Sequence, residues 1–324
     1  MPNAPLPLGS SSLYLGIDIG GTKTLALVAD ANGTVLGRAL RPTLDDQRPE
    51  VIIAAMAATA RDAVADANAD PAAIVAGGVG AAGAIDAANG IVVWAPQITA
   101  FNNTPMAAML RAHWDIPIGI NNDANLAALA EQRFGAAKGH ANVLFITIST
   151  GIGGGIILNG ELYTGASGFG GEIGHITVDA HGPYGPSKTP GAWESLCSGR
   201  AIARIANERI AAGEPSSLTS APAIDAPSIF AAMRAGDALA GSIIADATEY
   251  LAAGFTSVVN VLDPGIVVIG GGLANEWDTY IAPAIARMRT QAFAPSAANT
   301  PVVPPALGAN AGALGAVALA TTLA

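Results

Sequence analysis

The chain has 324 residues, 51% of them hydrophobic, 12% charged and 5% aromatic, with a formal net charge of −10 at pH 7. Such an apolar share can bury a large core over about two domains and excludes a disordered chain. The acidic balance, with Lys and Arg scattered singly, excludes the basic stripe that a nucleic-acid surface needs.

Cys197 is the only cysteine, so no intrachain disulfide can form, as suits a protein of the reducing cytoplasm. The first twelve residues lack the charged start and apolar core of a secretory leader, and no apolar run reaches the ~20 residues needed to span a bilayer. No membrane partner is expected.

Leu13 to Asp18 reads as a strand, Gly20-Gly21-Thr22-Lys23 as a glycine turn, and Thr24 to Asp30 as a second strand. Asn32-Gly33 then turns the chain into a third strand, Val35 to Leu40. Arg41 to Glu50 is polar and reads as a loop; Pro49 to Asn68 is an alanine-rich helix with Val51, Ile52, Ala55, Met56, Ala60 and Val64 near helical spacing. Ile74 to Gly80 is a short buried strand ending in Gly-Ala-Ala-Gly (80–83), and Asn89-Gly90 turns before the strand Ile91 to Trp94. Thr104-Pro105 gives an N-cap and a first-position proline for a helix to about Trp114. A strand at Ile118 to Asn121 and a helix from Leu126 to Phe134 complete a mixed α/β layer.

The first pattern then recurs. A β-branched run, Val143 to Ser149, enters a glycine loop, Thr150-Gly151-Ile152-Gly153-Gly154-Gly155; an apolar strand, Ile156 to Leu158, leaves it and Asn159-Gly160 turns the chain back. A glycine turn between buried strands can offer successive backbone N–H groups to anionic oxygens, the plain alternative being a tight bend between packed strands. Strand, glycine loop, strand and Asn-Gly in the same order twice predict two related lobes, each with a phosphate loop, facing each other across a cleft as a nucleoside triphosphate needs. Residues 163–195 are irregular and rich in Gly and Pro, which in a compact domain points to function. Ser198 to Ala211 is helical, 212–227 is a solvated loop, and alanine-rich helices run through Asn260. The buried strand Ile266 to Ile269 ends in Gly270-Gly271-Gly272, and a helix over Gly308 to Leu323 closes the chain.

The dinucleotide fingerprint fails, because the sixth position after Gly151-x-Gly153 is Ile156, and the Walker loop fails at Thr22. What does fit is Asp18-Ile19-Gly20-Gly21-Thr22-Lys23 with Thr150-Gly151-Ile152-Gly153-Gly154-Gly155. Together they resemble the sugar kinase, heat-shock and actin ATPase superfamily, most closely its ROK branch (repressors, open reading frames and kinases). Asn122-Asp123-Ala124-Asn125, Gly171-Glu172-Ile173-Gly174-His175, Gly191-x-x-Glu194, Gly270-Gly271-Gly272 and Leu307-Gly308-x-x-Ala311-Gly312 extend the resemblance over about residues 13 to 320.

The resemblance implies an α/β fold of two actin-like (ribonuclease H-like) lobes, mixed sheets flanked by helices with a cleft between them. Residues 1–123 with 306–324 would form the smaller lobe, and 124–305 the larger one with the sugar loop and adenosine site. It implies that ATP is held by Gly20, Gly21, Thr22, Lys23, Thr150, Gly151, Gly153 and Gly154 at its phosphates and lies near Gly270, Gly271 and Gly272 at its adenosine. Asp18 would hold Mg²⁺ through water, which neutralises charge on the phosphates.

Asp123 follows a strand and opens a helix, so by position alone it could be an N-cap. By resemblance it is the general base that takes the proton of a sugar hydroxyl, whose pKa lies far above 7. Asn122, Glu172, His175 and Glu194 would hold the ring hydroxyls, with Gln97 and Gly83 as further sugar contacts. Carboxylates and imidazoles suit a hydroxyl, which both donates and accepts.

One stretch departs from the family, most of whose members carry Cys-x-Cys-Gly-x-x-Gly-Cys, with the histidine, as a zinc site. Residues 181–194 read His-Gly-Pro-Tyr-Gly-Pro-Ser-Lys-Thr-Pro-Gly-Ala-Trp-Glu, without a thiolate. No structural zinc is expected, the prolines at 183, 186 and 190 stiffening the loop in its place.

The expected activity is ATP-dependent phosphorylation of the 6-hydroxyl of an aldohexose, glucose first, in the cytoplasm. An N-acetylglucosamine or N-acetylmannosamine kinase is the enzyme alternative, and polyphosphate stays open as a donor. A sugar-sensing regulator of the same family would need a helix-turn-helix ahead of the first strand, where twelve residues precede Leu13. A sugar binder without turnover is the remaining reading. Relatives are often dimers, so a homodimer is carried as an expectation of the resemblance.

Overall fold

The computed structural model describes residues 12–185, 188–293 and 299–324. The expectations placed on residues 1–11 and on Pro186 lie outside the described residues.

The chain forms two compact units. The first comprises the described residues through Gly139, Leu162–Gly170 and Ala306–Ala324; the second comprises His140–Glu161 and Gly171–Pro305. In the first, β1 (Leu13–Ile19), β2 (Lys23–Ala29), β3 (Val35–Pro42), β4 (Ile74–Ala81) and β8 (Ile118–Asn122) form one sheet in the order β3-β2-β1-β4-β8. The first three are antiparallel neighbours, and β4 and β8 join in parallel. A small sheet of β5 (Ala84–Asp86), β6 (Ile91–Trp94) and β7 (Asn102–Thr104) stands beside it.

Alternation along β1 decides what covers each face. Leu13, Leu15, Ile17 and Ile19 are buried in one cluster with Ile52, Ile53, Met56 and Ala60 of α1 (Pro49–Asp66). Tyr14, on the other face, packs with Val317 and Ala320 of the closing helix, Ala311–Ala320. That helix sits backbone-close to the sheet: a Cβ on Gly16 would collide with the Ala313 carbonyl, and one on Gly78 with the Ala316 carbonyl. These two glycines admit it.

α2 runs Met106–Arg111 and α3 Asp123–Phe134. The expected bounds of two helices and of the second unit are corrected here. Thr104 ends β7 rather than capping α2, whose cap position is Pro105, and α2 stops at Arg111 rather than near Trp114. α3 begins at Asp123, not Leu126, because Asn122 supplies its cap. α3 packs on the closing helix, with Gly315 seated against the Leu126 carbonyl, so it stays with the first unit and the second begins at His140 rather than after Asp123.

The second unit repeats the plan. β9 (Val143–Ile148), β10 (Ile152–Leu158), β11 (Glu161–Leu162, the boundary between the units falling within it), β12 (Ile266–Gly270) and β13 (Val302–Val303) lie in the order β11-β10-β9-β12-β13. β9 and β10 are antiparallel and β12 is parallel to β9, as β4 is to β1. The turn at Asn159-Gly160 has φ of 55° and 87°, the paired positive values a two-residue hairpin requires. Helices α4 (Trp193–Cys197), α5 (Gly199–Ala211), α6 (Ala226–Arg234), α7 (Ala238–Leu262) and α8 (Ala282–Gln291) surround this sheet. Trp193, Phe230, Phe255 and Tyr280 lie in one buried cluster with β9, β10 and β12.

The glycine run at 150–155 is shorter as a loop than expected. Only Ser149 to Gly151 turn; Gly153, Gly154 and Gly155 belong to β10 and pair with Thr147, Ile146 and Phe145. Close packing explains glycine within this strand, since a Cβ on Gly154 would lie 2.6 Å from Ile173 Cδ1 and 3.0 Å from the Gly171 carbonyl oxygen. Among the described residues no single helix is long and apolar enough to cross a membrane. α6 and α7 pass that test only as a pair bent by 116°.

Candidate active site

In the first unit the site is laid out by strand register. Asp18 near the end of β1 pairs with Gly80 of β4, and Gly80 in turn with Asn121 of β8, so Asp18, Asn122 and Asp123 share the carboxyl end of three parallel strands. Ligands of α/β sheets bind at that end. Gly80 places no side chain between the acids.

Asp123 is open to solvent, yet the protein around it desolvates the carboxyl and raises its pKa. Its Oδ1 accepts from the Ala124 amide at 3.0 Å. The Asp18 carboxyl is pushed up to about 6, first by burial, then by the negative charge of Asp123, against the pull of Lys23. A Cβ on Gly312, in the first turn of the closing helix, would lie 2.5 Å from Asp18 Oδ2, so the carboxylate rests against that glycine.

Asn122, rather than Asp123, caps α3. Its Oδ1 accepts from the Ala124 amide at 2.9 Å and its Nδ2 donates to the Gly83 carbonyl at 3.0 Å. That leaves one Nδ2 proton and one Oδ1 lone pair for a ligand. Gly83 has φ of 115° and is backed by the Trp94 carbonyl, which a Cβ would strike. Gln97 lies over the first glycine turn, its Cβ 3.0 Å from where a Cβ on Gly21 would be.

The two glycine turns are held alike. In the first, the Gly20 amide donates to the Lys23 carbonyl at 3.0 Å; Thr43 Oγ1 donates to the Gly20 carbonyl at 2.7 Å and the Thr43 amide to Thr22 O at 3.0 Å. In the second, the carbonyls of Ser149 and Thr150 accept from the amides of Gly199 (2.8 Å) and Arg200 (3.2 Å) at the start of α5. Each turn thus spends its carbonyls on the protein. The amides of Gly21 and Thr22, and of Thr150 and Gly151, have no protein acceptor among the described residues. Two successive free amides fit a phosphate oxygen. Gly271, with φ of 88°, packs on the Ile148 carbonyl, and Gly272 is beside Ser149, so 270–272 meets the second turn. Lys23 and Thr22 are exposed.

Glu172, His175 and Glu194 come together in the second unit. His175 Nε2 is 3.7 Å from Glu172 Oε2 and its Nδ1 is 4.0 Å from Glu194 Oε1, both too long for hydrogen bonds. The Nδ1 atom is buried with no protein partner. Glu194 also leans on the second glycine turn: its Oε2 accepts from the Ile152 amide at 3.3 Å and lies 2.6 Å from where a Cβ on Gly151 would be.

The loop that follows does not fit zinc. It is closed by main-chain bonds: Val178 N to Gly191 O (3.0 Å), Trp193 N to Ile176 O (2.9 Å) and Gly191 N to Pro183 O (2.9 Å), with Tyr184 bridging Pro190. Gly191, at φ of 52°, is pressed against the Asp179 carbonyl. Cys197 is buried beyond the loop, donates to the Trp193 carbonyl and has its thiol pKa pushed far up by burial, so it offers no thiolate.

Two residues of this region carry no sequence signal. Thr43 sits in a polar stretch without a motif, and Glu131 is one acid within an alanine-rich helix, yet each ties distant main-chain groups.

Two units of one sheet order, each with an amide-bearing glycine turn, define the actin-like architecture. Residues 14–323 match the model of the ROK family, and the chain belongs to that family. It is similar to a glucokinase of Streptomyces coelicolor, 35% identical over 278 residues (84% of this chain, 85% of that one). Among solved structures it is similar to a ROK hexokinase from Thermus thermophilus, with a TM-score of 0.82 and 34% identity over 96% of this chain and 98% of that one. A ROK family glucokinase from Streptomyces griseus in complex with glucose and AMPPNP gives a TM-score of 0.77 and 33% identity over 96% of this chain and 100% of that one.

Proposed function

We propose that this protein transfers the γ-phosphoryl group of ATP to the 6-hydroxyl of an aldohexose, glucose first, in the cytoplasm. The observation that carries the reading is the pair Asp18 and Asp123 at the carboxyl end of three parallel strands, in the unit that holds the first glycine turn. Asp123 takes the hydroxyl proton while the sugar oxygen bonds to the γ-phosphorus. The bond from that phosphorus to the bridging oxygen breaks, and its electron pair leaves on ADP. Desolvation by the protein around it makes the Asp123 carboxylate a stronger base than an ordinary one, which suits this task.

The free amides of both turns suit phosphate oxygens, and Asp18 against Gly312 suits a hydrated Mg²⁺, which would neutralise charge on those oxygens. Glu172, His175 and Glu194 suit ring hydroxyls, the orphan Nδ1 of His175 being a polar atom that lacks a partner in the protein. The relatives named above, two of them glucokinases, support glucose as the first sugar to assay.

A panel of glucose, mannose, N-acetylglucosamine and N-acetylmannosamine with ATP and magnesium tests the reading; turnover highest on glucose is expected. Asp123→Asn is expected to lower kcat by at least about a hundredfold, since general-base catalysis contributes 10²–10⁴-fold, with sugar binding largely kept. Sugar binding without turnover in the unmodified protein would replace the kinase reading with that of a sensor.

A further inference from the structure

α3 carries Asp123 at its first position and Glu131 two turns further on, where the side chain is fully buried. An acid there needs strong compensation, because an isolated buried carboxylate is costly. Main-chain amides supply it. Glu131 Oε2 accepts from Ala136 N at 2.7 Å, both carboxylate oxygens accept from Ala306 N at 3.1 Å, and Oε1 accepts from Leu307 N at 3.1 Å. The Glu131 carbonyl accepts from Gly135 and Ala137 as well. Gly135 is glycine for the same reason, since a Cβ would collide with Oε2.

The bonded segments are not arbitrary pieces of chain. The first unit ends one of its stretches at Gly139, just past Ala136, and resumes at Ala306. From Leu307 the chain turns directly into the closing helix, whose Gly312 backs the Asp18 carboxylate. One side chain therefore joins the helix that carries Asp123 to the segment that positions Asp18.

We propose that Glu131 is a positioning residue for phosphoryl transfer, its carboxylate fixing α3 and the start of the closing helix in one register so that Asp123 and Asp18 keep their mutual placement. The inference rests on the kinase reading of those two acids.

Glu131→Gln keeps the shape but turns an N–H toward amides that need an acceptor. Assayed well below its melting temperature, it is expected to lose kcat by about ten- to a hundredfold, the effect of a misplacement near 1 Å, with the sugar KM within about twofold. Amide hydrogen exchange at Ala136, Ala306 and Leu307 is expected to rise together. Gly135→Ala, which displaces the carboxylate without removing its charge, should give the same split and serves if the Gln variant does not fold. A lower melting temperature with unchanged kcat in either variant would reduce Glu131 to a structural tie and overturn the proposal. Asp123→Asn run alongside separates the two ideas: turnover surviving there sinks the base assignment, whereas turnover lost there but kept in Glu131→Gln sinks only this inference.

Discussion

At the scale of single residues, the shifted carboxyl of Asp18 predicts how stability and activity respond to pH. Asp18 has a folded pKa of about 6 against an ordinary 3.8, so folding favours its protonated form. That contribution is fully present below about pH 4 and is lost as pH rises through 6, which is opposite to an ion-paired aspartate. The fold thus bears a charge it would rather neutralise, and a cation is what relieves it. Activity is expected to show an acidic limb with its midpoint near 6 in kcat/KM. Lys23→Gln removes the cation that opposes the shift, so its limb should move to higher pH; a limb that stays in place or moves down argues against Asp18 as the titrating group. Asp18 and Asp123 were legible in the sequence because each stands beside a local pattern, a glycine turn or a strand-to-helix junction. Glu131 and Thr43 were not. Their partners are main-chain groups, and any residue has those, so no residue type at positions 20, 22, 306 or 307 announces the bond.

At the scale of elements, glycine had two meanings that composition does not separate. At Gly20 to Lys23 it marks a turn; at Gly153 to Gly155 it lies within a strand, with Ile173 and the Gly171 carbonyl passing closely over Gly154. Sequence alone gives the run as one loop because a glycine without its neighbours looks the same in either role. The 181–194 loop shows the reverse case, in which the lack of cysteine was plain in the sequence but the replacement was not. The Ile176–Val178 and Gly191–Trp193 segments pair through main-chain amides, and residue types say little about such pairing. A zinc-held loop loses its order with the metal. This one has no thiolate to lose, so prolonged dialysis against a strong chelator, followed by magnesium, is expected to leave the melting temperature and sugar KM unchanged. A fall in either, reversed by added zinc, would reinstate a structural metal.

At the scale of the whole molecule, the repeated order of elements announced a duplication, and both five-stranded sheets have the same sequence of neighbours, with an antiparallel pair at the glycine turn and parallel strands beyond it. Each sheet is covered within its own unit, by α1 and the closing helix in one and by α5 to α8 in the other, so each has its own buried cluster. Two cores in one chain need not unfold together. The four tryptophans divide evenly, Trp94 and Trp114 in the first unit and Trp193 and Trp277 in the second, and Trp114 and Trp193 are the buried ones, at 8% and 0% exposure. With Trp94 and Trp277 replaced by Phe, single-reporter chains keep either Trp114 or Trp193. Gly78→Ala drives a methyl into the Ala316 carbonyl and must lift the closing helix off β4, an overpacking cost of about 1–3 kcal/mol or more. In urea, the Trp114 transition is expected to move to lower denaturant while the Trp193 transition keeps its midpoint. Equal displacement of both would mean that the two cores melt as a single cooperative body, and the duplication would then describe ancestry of shape without independence of folding.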